Sequence, residues 1–259
     1  ISVTVDIMSV INGEKIQILG FLLDEPIINV IVKEDGSANY DIAVASTDST
    51  TEEESTEESA FDIGIKKWEI RNGNISYVDE TMPIDLKIEK LNHTGNGDFN
   101  QDVFDLMTNT ELEGFSCEFD GTQYLDQSKF VADLNMNIDN ANSKYTFKEN
   151  SLKLNDFGFY FDGWLSMAET MEMDITYGVK ETEFAHVLSL VPGVFMEGFE
   201  KMKTEGNFQF DGFVKGVMDD STGKMPAFNL NLQIADAMFQ YPDLPSAVNN
   251  IAVDLKINS

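Results

Sequence analysis

Cysteine occurs once, at Cys117, and histidine twice, at His93 and His186. A single thiol excludes an internal disulfide and a cysteine-rich zinc site. Neither histidine stands at metal-ligand spacing from the other or from the cysteine, so no metal site is expected. Basic residues are scarce as well: 17 Lys and Arg face 46 Asp and Glu, for a formal charge of −29. A surface of that sign repels phosphate backbones, which argues against nucleic acid as a partner. No apolar run reaches the roughly eighteen residues that span a bilayer. The nearest, Phe184 to Phe199, is interrupted by His186, Pro192 and Glu197. A Gly-x-Ser-x-Gly elbow, a Walker loop and a dinucleotide fingerprint are all missing; Gly95-Asn96-Gly97 lacks the third glycine. Acidic residues are too numerous to single out a glycosidase-like pair. The reading is therefore non-enzymatic, with no catalytic residue and no cofactor assigned.

What the chain has in plenty is alternation. Apolar residues recur at every second position at Ile1, Val3, Val5, Ile7; Phe130, Ala132, Leu134, Met136, Ile138; Phe157, Phe159, Phe161; Met171, Met173, Ile175, Tyr177; Phe228, Leu230, Leu232, Ile234; and Ile251, Val253, Leu255, Ile257. The residues between them are mostly Asp, Asn, Lys, Gln and Thr, which predicts antiparallel strands with one apolar and one wet face. With 19 Phe, 7 Tyr and 42% hydrophobic residues, the 259-residue chain has the material for one large β domain spanning 1–259. Turn signals punctuate the strands. An Asp followed within a few residues by Pro recurs at Asp24-Glu25-Pro26 and at Asp79 to Pro83, and Pro242-Asp243-Leu244-Pro245 is similar. Asn72-Gly73 predicts a two-residue hairpin, with Asp35-Gly36 and Asp120-Gly121 as weaker versions.

Two segments depart from this pattern. Between Thr182 and Lys203, the apolar residues Phe184, Val187, Leu188, Val191, Phe195, Phe199 and Met202 fall at spacings of three and four, broken by Pro192-Gly193. They predict one or two short helices near 182–203, with Phe184, Leu188, Phe195 and Phe199 as candidate lid residues. Ser46 to Ser59 is rich in Ser, Thr and Glu and has no apolar anchor, so 46–60 is expected to be an acidic, disordered insertion.

Several of these motifs carry a resemblance. Phe21-Leu22-Leu23-Asp24-Glu25-Pro26-Ile27-Ile28-Asn29-Val30, followed by Asp35-Gly36-Ser37-Ala38-Asn39-Tyr40-Asp41-Ile42, resembles the AsmA family. Asn72 to Asp79, Leu188 to Pro192 and Phe239 to Pro245 look like the C-terminal AsmA-like region of Bacteroidetes proteins.

The resemblance implies a Gram-negative envelope protein, related to the TamB-like proteins and lying in the periplasm. It implies an inner-membrane anchor through an N-terminal helix outside this sequence, of which the chain would be a fragment. It also implies a repeating β-groove: a long curled antiparallel sheet forming an open trough, whose apolar inner face conducts phospholipid towards the outer membrane. The candidate lining is Phe130, Leu134, Phe159, Phe161, Met173, Leu230 and Leu232. The dense aromatics Phe157, Phe159, Tyr160, Phe161 and Trp164 raise the expectation of a local plug. The rival expectations are a periplasmic scaffold with a closed core that binds protein partners and, more remotely, a carbohydrate-active enzyme. Oligomeric state is left open.

Overall fold

The computed structural model describes residues 1–12, 16–41, 61–168, 170–188, 190–191, 202–219, 221–241 and 245–259. Among these, thirteen strands form a single sheet. They are β1 (Ser2–Val5), β2 (Ile16–Asp24), β3 (Ile27–Val32), β4 (Phe61–Asp79), β5 (Ile84–Asn96), β6 (Val103–Phe119), β7 (Thr122–Asp139), β8 (Lys144–Leu154), β9 (Phe157–Met167), β10 (Met171–Glu183), β11 (Lys203–Met218), β12 (Ala227–Gln240) and β13 (Val248–Asn258). Two short helices complete the described elements, α1 (Ile7–Asn12) and α2 (Phe184–Leu188). The strand order runs β1, β2, then β4 to β13 in sequence, with β3 also beside β4. From β4 onward every neighbouring pair is antiparallel, and β1 and β13 are not paired with each other, so the sheet is open.

The start of the sheet differs from the hairpin string expected of the sequence. Both β2 and β3 run parallel to β4. Asp24 faces Arg71 and Ile27 faces Asn74, which is one unbroken register, so Glu25-Pro26 kinks the chain without reversing it. Glu25 takes a positive φ of 48° and still donates its N–H to the Arg71 carbonyl at 2.9 Å, while the Pro26 carbonyl accepts from Asn74 N–H at 2.8 Å. Proline removes one donor from a ladder, and here the ladder closes around the gap. The expected N-terminal alternation also stops early: Asp6 Oδ1 accepts the Met8 N–H at 2.9 Å and starts α1 where a strand residue was expected at Ile7.

Aspartate turns join the long strands. At the β4–β5 turn, Asp79 Oδ1 accepts from the Thr81 and Met82 N–H groups at 2.9 and 3.2 Å and from the Thr81 hydroxyl at 2.6 Å. Asp139 and Asp219 hold the β7–β8 and β11–β12 turns in the same manner, through Asn142 and through Ser221 and Thr222. Asp120-Gly121, with φ of 49° and 70°, is the two-residue hairpin between β6 and β7. Asn72-Gly73 is not a hairpin: it lies inside the 19-residue β4 as a bulge, with Asn72 at φ 48°.

Further bulges place Lys90, Gln127 and Glu149 at positive φ within β5, β7 and β8. A bulge takes a backbone N–H out of the ladder, and each of these is recaptured by a side chain on the next strand. Asn92 Oδ1 accepts from Asn72, Asn74 Oδ1 from Lys90, Ser116 Oγ from Gln127, and Asp162 Oδ1 from Glu149. The strands bend at these points and continue.

Only eight described apolar side chains are buried: Leu91, Phe104, Leu112, Ala132, Ile138, Val179, Phe208 and Ala237. Among the described residues that is a thin core. The expected acidic insertion at 46–60 and the helical stretch around Phe195 and Phe199 lie outside the described residues.

Candidate functional site: the apolar sheet face

Cross-strand pairing decides which side chains share a face, because directly paired residues point the same way. One row runs Phe104, Ile138, Tyr145, Leu165, Met173, Gly216 across six strands. Another runs Phe161, Tyr177, Gly212, Leu230, Ile257. Beyond the second row lie Ala132, Leu152, Phe159 and, further along, Val179, Phe210, Leu232, Leu255. Phe130 pairs with Leu154, which pairs with Phe157, and Leu134 follows Phe130 at even spacing. All seven candidate lining residues therefore stand on one face of the sheet. Each is partly exposed and none is buried.

The dense aromatic segment divides between the faces. Phe157, Phe159 and Phe161 lie on the apolar side, where ring centroids stand 5.4 Å apart for Phe147–Phe161, 6.3 Å for Phe159–Tyr177 and 5.6 Å for Tyr177–Phe210. Phe157 reaches Phe208 at 6.0 Å across the intervening strand. These rings form a layer over β8 to β11. Tyr160 and Trp164 point the other way, the first over Gly178 and the second under the Lys144 ammonium at 4.5 Å.

Of the candidate lid residues, Phe184 opens α2, which lies against β10 and β11. Leu188 closes that helix with its side chain outside the described residues, where Phe195 and Phe199 lie entirely.

Sequence reasoning passed over the polar groups set into the apolar face. His93 faces Ile70 and Thr110, and Thr108 pairs with Leu134. Asn150, opposite Phe161, is only 1% exposed; its Oδ1 accepts the Asn135 N–H at 2.7 Å and its Nδ2 donates to the Asn135 carbonyl at 3.3 Å. The signal available was a polar residue on the apolar phase of a strand, and the bulge at Glu149 hides that phase in β8. His93 accepts the indole N–H of Trp68 at 2.9 Å, and burial lowers its pKa from the ordinary histidine value.

The opposite face is polar and carries two shallow hollows. One, of about 490 Å³, is bordered by Lys67, Thr94, Asn96, Met107, Asn109 and Asp133. The other, of about 690 Å³, is bordered by Val131, Ser151, Lys153, Tyr160, Asp162 and His186. Leu134 and Phe159 are the candidate lining residues that touch these hollows. Asn109 donates to Asp133 at 2.6 Å and Lys215 pairs with Asp174 at 2.6 Å, so the polar face is laced by cross-strand pairs. Among the described residues no group of three His, Cys, Asp or Glu is gathered as a metal site, and no helix is long and apolar enough to cross a membrane.

Compared with known protein families, curated proteins and solved structures, the chain gives no match.

Proposed function

We propose that the apolar face binds or conducts the acyl chains of phospholipid, in an AsmA-like envelope protein of the Gram-negative periplasm. One observation carries the reading: seven residues singled out as lining share one face, and all of them remain partly exposed. Burying a methylene is worth about 0.8 kcal/mol, so a sixteen-carbon chain laid on this face gains on the order of 10 kcal/mol before ordering costs. In this reading the anchor to the inner membrane lies outside the sequence, and the protein acts in lipid homeostasis and outer-membrane biogenesis without catalysis.

A second reading is favoured by the aromatic layer over β8 to β11, which fills part of the same face with the protein's own rings. In that case the sheet is a scaffold for protein partners. Native mass spectrometry of protein purified without detergent, together with Leu232→Glu, separates the two. A lipid-binding face gives co-purifying phospholipid that the folded variant loses. A scaffold gives a lipid-free wild type, and a variant that unfolds because its carboxylate is trapped in a closed apolar core. That pair of results removes the lipid reading.

A further inference from the structure

Trp68 Nε1 is a donor only, so the 2.9 Å contact to His93 requires His93 Nε2 to be the unprotonated acceptor. The ring proton then sits on Nδ1 and is donated to Thr110 Oγ1 at 2.9 Å. The hydrogen bonds thus select a single neutral tautomer. Protonating Nε2 sets N–H against N–H at that distance, and the Trp68 indole has to leave.

The indole holds more than the histidine. Its six-membered ring covers Gly95, where an added Cβ would fall 2.0 Å from Trp68 Cζ2. It also packs at a tilt against Phe99 with centroids 5.7 Å apart, and Phe99 in turn meets the buried Phe104 at 5.0 Å. Phe99 belongs to the 97–102 connection and is 49% exposed, so the Trp68 and Phe104 rings supply its packing.

None of the side chains directly around His93 carries a charge that compensates an imidazolium; the charged residue that shares the phase of Trp68 and Ile70 is Lys66, itself a cation and paired with Asp98. The neighbours of His93 on the face are Trp68 and Ile70 from β4, Leu91 and Gly95 from β5, and Thr108, Thr110 and Leu112 from β6. Lys67, Glu69, Arg71 and Glu111 alternate with these onto the opposite face. In the connection itself the charged groups are Asp98, which pairs with Lys66 at 3.2 Å, and Asp102.

We propose that His93 and Trp68 form an acid-released latch: protonation of His93 expels the indole, frees Phe99 and uncovers the β4–β6 end of the apolar face. The inference does not depend on what that face binds. Its pH window follows from the geometry. A histidine held neutral by burial and by an N–H donor at Nε2 protonates below the ordinary value near 6.5, so the latch is closed at neutral pH and opens as the pH falls under that value.

The chain has two tryptophans, and Trp164→Phe leaves Trp68 as the only one. In that variant, indole emission is expected to shift on acidification from pH 7.5 to 5, with a midpoint below 6.5, and amide exchange at Phe99 is expected to rise with it, after correction for the intrinsic rate. Adding His93→Gln, whose amide oxygen still accepts from Trp68, should flatten both. Flat emission in Trp164→Phe, or the same transition in the His93→Gln background, overturns the latch. Should the double variant fail to fold, nitrogen-15 spectra of wild-type His93 decide: an Nδ1-protonated ring titrating below 6.5 supports the latch, and an Nε2-protonated ring, or titration at or above 6.5, overturns it.

Discussion

Tyr177 lies across Gly212, its cross-strand partner, and its hydroxyl donates at 3.3 Å to the carbonyl of Asn229 one strand further on. The glycine makes room for the ring, and the ring shields the backbone that the glycine leaves bare. Trp68 over Gly95 and Tyr160 over Gly178 repeat the arrangement, each pair directly opposed across two strands. Aromatic rescue of this kind fixes register, since a slip of one residue moves the ring to the other face.

Gly212 therefore tolerates no side chain. An alanine Cβ there would stand 2.3 Å from the Asn229 carbonyl oxygen and 2.8 Å from the Tyr177 hydroxyl, and the first of these belongs to the backbone. Gly212→Ala is expected to destabilise by about 1–3 kcal/mol, the usual cost of overpacking. Gly158→Ala is the control, because an added Cβ there meets nothing within 4 Å. Its urea midpoint should hold or rise while that of Gly212→Ala falls.

The strands β7, β9, β10, β12 and β13 were legible because their apolar residues keep period two, and so was the single apolar face; β6, β8 and β11 carry bulges, glycines and polar residues that blur that period. Two further features were not legible. An αL residue followed by glycine serves a hairpin or a bulge equally well, and Asn72-Gly73 has no local mark to tell them apart. The parallel placement of β2 and β3 is set by pairing with a strand more than forty residues away, which local turn chemistry at Pro26 does not encode. The division of Phe159 and Tyr160 onto opposite faces is plain from alternation once the strand is known. The run of aromatics from Phe157 to Trp164 reads as one cluster only when that alternation is ignored.

The bulge and the true hairpin make distinct predictions. At Asp120-Gly121 both residues hold positive φ, 49° and 70°, whereas at Asn72-Gly73 the asparagine holds φ 48° and the glycine does not. Gly121→Val and Asn72→Val should each cost about 1–2 kcal/mol or more, because a β-branched residue avoids that region. Gly73→Ala should be milder, since its Cβ meets only side-chain carbons, of Ile70 at 3.0 Å and Pro26 at 3.2 Å. Chemical denaturation of the three variants ranks them; a Gly73 variant worse than Asn72→Val would put the strain in the wrong residue.

Among the described residues Asn150 is the one fully buried large side chain, and it closes both backbone groups of Asn135. Asn150→Leu keeps the branched outline, though with a larger volume, and leaves those groups unpaired, with an expected loss of about 1–3 kcal/mol. Asn150→Asp should be at least as damaging near neutral pH, since a carboxylate then faces the Asn135 carbonyl, and it should recover part of the loss on acidification as the acid becomes a donor. A thermal melt of each variant at pH 7 and pH 4 checks both the order and the recovery.

Below the pH range of His93, acid should act through the turns. Hydrogen bonds from Thr81 and Tyr77 hold Asp79 down to a pKa of about 2, and those from Ser221 and Thr222 do the same for Asp219, against an ordinary value of 3.8. A carboxylate depressed in the folded state binds fewer protons there than in the unfolded chain. Its stabilisation is therefore complete above pH 3.8 and is lost as the pH falls towards 2. The melting temperature of the wild type should drop across that interval. Asp79→Asn and Asp219→Asn, which keep an amide oxygen for the turn but carry no charge to lose, should each start lower at pH 5 and fall less steeply. The interval lies well below the histidine range, so a loss of stability confined to pH 6.5 to 5 would belong to His93 and not to these turns. An Asp79→Asn melting curve as steep as wild type between pH 4 and 2 would show that the turn carboxylate does not carry the acid sensitivity.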